Sequence, residues 1–166
     1  MAKDRANFNV FPLWKFLQDE FGFDESFYVF GPFVGASIRP RTIDPWTIEV
    51  VMPLVLSNTN YVGSHFGGSL YSMCDPWYMA ILIKLLGPEY IVWDKSARIE
   101  FVRPGRSTVR ALFRIAPEEL TEIKEIVARE RKTTRTYETS VLDENDQIVA
   151  RVEKEIYVRR KIGSTP

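Results

Sequence analysis

Between Gly67 and Gly87 the chain carries few polar side chains, and this stretch constrains everything around it. Leu70, Cys74, Trp77, Ile81 and Leu85 fall on one helical face, while Met73, Tyr78, Met79, Ala80, Leu82, Ile83 and Leu86 fill most of the others. A helix that is apolar nearly all round has to be enclosed. Gly87-Pro88 ends it, so a central helix over about 67–86 is expected. Its longest fully apolar run, Trp77 to Ile83, is far too short to cross a bilayer. The enclosure must therefore be protein.

Strand patterns on either side supply it. Trp46, Ile48, Val50 and Met52 recur at every second position on one face, and residues 33–40 read as a partner strand, so 33–52 is expected to form a hairpin. Ala97, Ile99 and Phe101, then Val109, Ala111, Phe113 and Ile115, read as two strands joined by a turn at Pro104-Gly105. Two final strands, about 133–142 and 147–158, flank Asp143-Glu-Asn-Asp146, with Ile148, Ala150, Val152, Ile156 and Val158 on one face. Pro117 opens a short charged helix to about 130, and Phe11, Leu13, Trp14, Leu17 and Phe21 mark an amphipathic helix over about 10–21. Turn-linked consecutive strands imply an antiparallel sheet. The expectation is an α+β chain, one domain over 1–166, in which a curved sheet wraps the central helix.

Composition narrows the function classes. The 22 Lys and Arg balance the 22 Asp and Glu, leaving no basic footprint for a nucleic acid. One Cys and one His make neither a disulfide framework nor a zinc site, so no metal is expected. The opening residues lack the apolar core of a secretion signal, and a cytoplasmic protein without membrane attachment is expected.

The segment from Asn60 to Trp77 carries the chemistry. Gly67 and Gly68 sit where the helix begins, so backbone can approach a ligand without an intervening Cβ. First-turn N–H groups have no intrahelical partner and can hold a carbonyl oxygen or the oxyanion it becomes. A tight strand-to-helix turn would also call for glycine. Asp75 is the only acid between Gly67 and Gly87, at the end of a polar strip with Ser69 and Ser72. Such a carboxylate can serve as general base or nucleophile. Pro76 leaves two arrangements open: a helix that runs through with a kink at Asp75, or one that restarts with Asp75 as its cap.

Asn60-x-x-Gly63-x-x-x-Gly67-Gly68 followed by Asp75 resembles the active-site signature of the hotdog-fold acyl-CoA thioesterases, of the phenylacetate-pathway and 4-hydroxybenzoyl-CoA types. The stretches 66–79 and 90–105 are similar to a branch of that superfamily without a firm functional assignment. The resemblance spans about residues 30–160. It implies thioester hydrolysis with Asp75 as the catalytic carboxylate, Gly67 as the amide that polarises the carbonyl, and Asn60 as a side chain that positions water or substrate. Gly68, His65 and Phe66 around the turn, with Asp94 and Ser96 from a strand, become candidate substrate contacts. The relatives usually have His directly before the two glycines; here Phe66 stands there and His65 one position earlier. No cofactor is implied beyond the coenzyme A of the substrate. A homodimer or dimer of dimers is implied, because hotdog sites lie between subunits. Two other readings stay open: a non-catalytic acyl-CoA binding protein, and a hotdog hydratase or dehydratase, which would need His65.

Overall fold

The computed structural model describes residues 10–161. Its centre is a six-stranded antiparallel sheet built from β1 (Arg39–Asp44), β2 (Thr47–Met52), β3 (Tyr90–Phe101), β4 (Val109–Arg114), β5 (Lys132–Asp143) and β6 (Ile148–Arg160). The strand order is β1-β2-β4-β5-β6-β3. Six helices accompany it: α1 (Pro12–Phe21), α2 (Phe23–Ser26), α3 (Gly31–Ala36), α4 (Gly67–Ser72), α5 (Trp77–Leu86) and α6 (Pro117–Glu130).

The inner face of the sheet follows the alternation in the sequence. Ile48, Val50 and Met52 on β2, and Val109, Ala111 and Phe113 on β4, are all buried. They pack in one core with Met73, Cys74, Trp77, Ile81 and Leu82. Trp77 has 0% exposure and its ring meets Phe27 at 4.9 Å, Phe33 at 5.6 Å and Phe113 at 6.4 Å between centroids. Leu120, Ile123 and Val127 of α6 are buried along the stripe that their spacing marks out.

The central helix occupies 67–86 but is broken at 73–76 into α4 and α5. Proline has no N–H to continue the ladder, and its ring crowds the preceding turn. Two carbonyls at the break find donors. The indole N–H of Trp77 donates to the Met73 carbonyl at 2.7 Å, and the Pro76 carbonyl accepts the first bond of α5 from Ala80 at 2.8 Å. The chain thus restarts, yet Asp75 is not the cap: the cap position falls on Pro76, with no side-chain cap bond.

Two local expectations are corrected. Residues 33–36 are helical, not extended: α3 begins at Gly31-Pro32 and ends at Ser37, in the left-handed region at φ 58°. The i, i+3 pair Phe33 and Ala36 turns inward, and only from Arg39 does the chain extend into the β1–β2 hairpin. Short aromatic and β-branched runs do not separate helix from strand by pattern alone. Second, β3 and β4 do not form a hairpin. β3 pairs with β6 at the sheet edge, while β4 lies between β2 and β5. Residues 102–108 cross the end of the β5–β6 pair, where the Val149 carbonyl accepts from the N–H of Val102 and Arg103.

The sheet covers one side of α5. The other side is met by α1, α2 and α3, and this cover is incomplete: α1 has no buried residue and is held largely through Trp14, whose ring lies 5.1 Å from Phe27 and 5.5 Å from Phe30. Replacing Trp77 with Ala removes both the centre of the aromatic cluster and the bond to Met73. A loss of about 3–5 kcal/mol in unfolding free energy is expected, read from the midpoint and slope of chemical denaturation.

Candidate active site

Four side chains from three elements converge beside the break. Asp75 follows α4, Tyr71 lies one turn earlier, Asp94 comes from β3 and Lys154 from β6. The Lys154 ammonium donates to Asp75 Oδ1 at 2.8 Å and to the Tyr71 hydroxyl oxygen at 3.3 Å, and it lies 3.2 Å from Asp94 Oδ2. The Tyr71 hydroxyl donates to the same Asp75 oxygen at 2.7 Å. Lys154 has 1% side-chain exposure, Asp94 23% and Asp75 49%. One oxygen of Asp75 is therefore fixed by two donors. The other takes no protein partner among the described residues and faces outward.

Register explains the convergence. On β6, Lys154 has the same parity as Val152, Ile156 and Val158, so it points into the core with them. On β3, Asp94 opposes Ile156 and Ser96 opposes Glu155, which leaves Lys95 as an extra residue in a bulge. The bulge shifts which positions face inward, so Val92 and Asp94 precede it on the same face that Ala97, opposite Lys154, takes after it. Bulges re-aim side chains in this way without breaking the sheet.

A buried ammonium is tolerated only where paired. Burial alone pushes the Lys154 pKa down, but the bond to Asp75 and the charges of Asp94 and Asp75 outweigh it, and the value lies above that of an ordinary lysine. For Asp94 burial wins over the attraction of Lys154 and raises its carboxyl above the usual range. Its Oδ1 is buried without a partner. The Tyr71 hydroxyl is raised as well, first by burial and then by its bond to Asp75.

Asp75 opens onto a groove. An apolar cavity of about 460 Å³ runs between α5 and the N-terminal helices, with Tyr71, Ser72 and Asp75 at one end. The other residues singled out from sequence lie apart from it. Asn60 spends its side chain inside its own loop: Nδ2 donates to Ser64 Oγ and to the His65 carbonyl, and Oδ1 accepts from the N–H of Val62 and Ser64. His65 is 3% exposed and ties that loop to 105–107: its N–H donates to the Gly105 carbonyl and its Nε2 to the Ser107 carbonyl at 2.9 Å. A carbonyl only accepts, so Nε2 carries the proton; Nδ1 is buried without a partner, and burial lowers the ring's pKa. Ser96 turns to the outer face and donates to Glu155 at 2.8 Å.

At the turn into α4, the N–H groups of Gly67 and Gly68 take no bond among the described residues. A Cβ at Gly67 would lie 2.9 Å from the Phe101 ring, and one at Gly68 would clash with the Phe66 ring. Both rings are more than half exposed. The glycines let two aromatic side chains lie directly over the helix start. Of the aromatic residues near the motif, Tyr71 lines the groove; Trp77 is core, and Trp93 and Phe66 face outward. The groove's lining comes instead from Trp14, Phe23, Phe27, Phe30 and Phe33.

A family model described as a domain of unknown function, DUF4442, matches residues 26–158. The chain belongs to this family. No curated protein matches the DUF4442 chain. Among solved structures it is similar to PA5026 of Pseudomonas aeruginosa, a protein of unknown function termed a probable thioesterase, at TM-score 0.74 and 19% identity over 83% of this chain and 93% of that one. It is similar to the thioesterase HI1161 of Haemophilus influenzae at TM-score 0.63 and 12% identity, over 87% and 93% of the two chains. The E. coli PaaI protein of the phenylacetic acid degradation operon matches at TM-score 0.55 and 18% identity, over 80% and 85%. At these identities the likeness establishes the fold: this DUF4442 chain is an α+β hotdog structure, with its helix against a six-stranded antiparallel sheet. No helix among the described residues is long and apolar enough to cross a membrane.

Lys154 was hidden in the sequence by its company. It occupies an even position in the stripe Ala150, Val152, Ile156, Val158, where alternation alone gives a charged side chain no partner. Replacing it with Met leaves the partly buried Asp94 without a counter-charge, and a loss of about 3 kcal/mol is expected at pH 7. Asp94 already has a raised pKa in the folded state, so the protonated form favours folding below its unfolded value and that advantage disappears as pH rises through the folded one. The Lys154→Met penalty should therefore shrink at pH 4. Denaturation curves of both proteins at the two pH values measure this.

Proposed function

We propose that the protein hydrolyses acyl thioesters, with Asp75 as the carboxylate that activates water or attacks the carbonyl. The observation that carries this reading is the divided state of Asp75: one oxygen is held by Tyr71 and Lys154, and the other is unengaged at the mouth of an apolar groove. A structural aspartate would be expected to spend both oxygens on its own chain. Here the fixed oxygen sets the orientation, and the open one is available to take a proton from water or to bond to carbon.

Thioester cleavage makes modest demands. The thiol leaves easily, with a reference pKa of about 8.5, so no strong general acid is required. The carbonyl oxygen needs a donor as it gains charge. The unpaired amides of Gly67 and Gly68 suit that task. Gly67 and Gly68 precede Asp75 by eight and seven residues, at the opposite end of α4, roughly 10–12 Å away at helical rise, too far for one carbonyl to touch both within a protomer. The reading therefore includes a homodimer in which a second copy brings its Gly67 amide to Asp75, in keeping with the resemblance to hotdog thioesterases. Lys154 has its three N–H directions occupied by Asp75, Asp94 and Tyr71, so it acts as a positioning residue. No observation favours a hydratase, since the His65 ring is committed to Ser107.

Asp75→Asn should lower thiol release from acyl-CoA thioesters by roughly 10²-fold or more while far-UV circular dichroism stays native. Coenzyme A release followed with a thiol reagent across acetyl, octanoyl, decanoyl and phenylacetyl thioesters checks it. Binding without release across the panel by the wild-type protein would instead identify a carrier.

A further inference from the structure

The reading of Asp75 leaves the groove beside it without a role. We propose that this groove binds the hydrocarbon chain of a medium-chain acyl thioester, with the thioester at Asp75 and the chain end at Lys84; this rests on the thioesterase reading. The wall contributed by α5 and its cap consists of Pro76, Met79, Ala80, Ile83 and Lys84, the positions three and four apart that share one helical face. From Pro76 to Lys84 the helix rises about 12 Å, the reach of roughly ten extended chain bonds. The volume of about 460 Å³ falls within the range of small-molecule sites.

The distribution of polar atoms selects the occupant. Tyr71, Ser72 and Asp75 gather at one end and Lys84 at the other, and between them Gln18 is the only polar side chain in the lining among the described residues. A peptide laid in this groove would bury N–H and C=O groups with almost nothing to bond them. A hydrocarbon needs no such partners, and its one polar end would meet the only polar mouth that contains a candidate reacting group. A cation resting on an aromatic ring bounds the far end. The Lys84 ammonium sits 3.8 Å from the centroid of the Phe23 ring, and burial pushes its pKa below the ordinary lysine value. A chain longer than the groove would have to displace that pair. The roof is α1, held largely by Trp14 and without a buried residue, so the site is lined by a segment that the core of the fold does not require.

The test uses S-decyl-coenzyme A and S-ethyl-coenzyme A, thioethers that cannot be hydrolysed, titrated calorimetrically into the full chain. The decyl compound should bind at least about tenfold more tightly, given the gain for each buried methylene. Ala80→Trp fills the middle of the groove and should erase that difference while leaving the ethyl compound unchanged. Equal affinity for the two compounds, or a preference that survives Ala80→Trp in a natively folded protein, overturns the proposal. Should that variant fail to fold, a decyl thioether with a terminal diazirine serves on the wild-type protein. Photolabelling of peptides from α1 or 79–84 supports the groove, and labelling elsewhere, including the outer face of the sheet, refutes it. Thiol release from acyl-CoA is assayed separately. Tight chain-dependent binding without release removes the hydrolase and keeps the groove, whereas release with no chain preference does the reverse.

Discussion

A lysine ammonium buried between two aspartates organises the candidate site. Lys154 projects from the centre of a β-strand into the core, where an isolated charge would be prohibitive. Asp94 reaches it because a bulge turns the edge strand, and Asp75 reaches it because the central helix stops short. Each of the three elements is thereby fixed relative to the other two. The same ion cluster fixes the direction of the Asp75 carboxyl, which otherwise stands half exposed on a helix break. Structural support and chemical readiness come from a single set of contacts.

Pro76 is the second constraint. By ending the hydrogen-bond ladder it allows α5 to start afresh, and it places Asp75 outside either helix. The side of α5 that the sheet does not reach then becomes one wall of a groove, with an aromatic N-terminal layer as the other. A hotdog core with an uninterrupted, fully wrapped helix would have no such surface. The rod that looked apolar on every side turns one side to core and the other to a cavity of ligand size.

The residues around the glycine turn divide along similar lines. Asn60 and His65 hold the loop that delivers Gly67 and Gly68, and their polar atoms are largely consumed in doing so. The glycines accommodate Phe66 and Phe101 and leave their own amides unpaired. The turn that resembles a thioesterase signature is therefore built in two layers, side chains that shape it and backbone donors that it presents. Because the amides and Asp75 lie at opposite ends of α4, the reading of the site as a hydrolase is inseparable from its reading as shared between copies.

The sequence alone determined the apolar central helix with Asp75 as its one acid and the alternating strands, because burial on a helix or strand repeats with a short local period. It determined the six-stranded α+β character for the same reason. It did not determine that β3 lies beside β6, since strand partners are chosen by contacts between residues far apart in the chain. Lys154, Asp94 and Asp75 are separated by long stretches, and only the sheet register and the bulge bring them together. The groove likewise exists only between elements: residues 33–36 read as strand from composition, yet as part of α3 they supply some of its aromatic wall. Local periodicity reports which side chains are hidden, and tertiary packing alone decides from what, and beside whom.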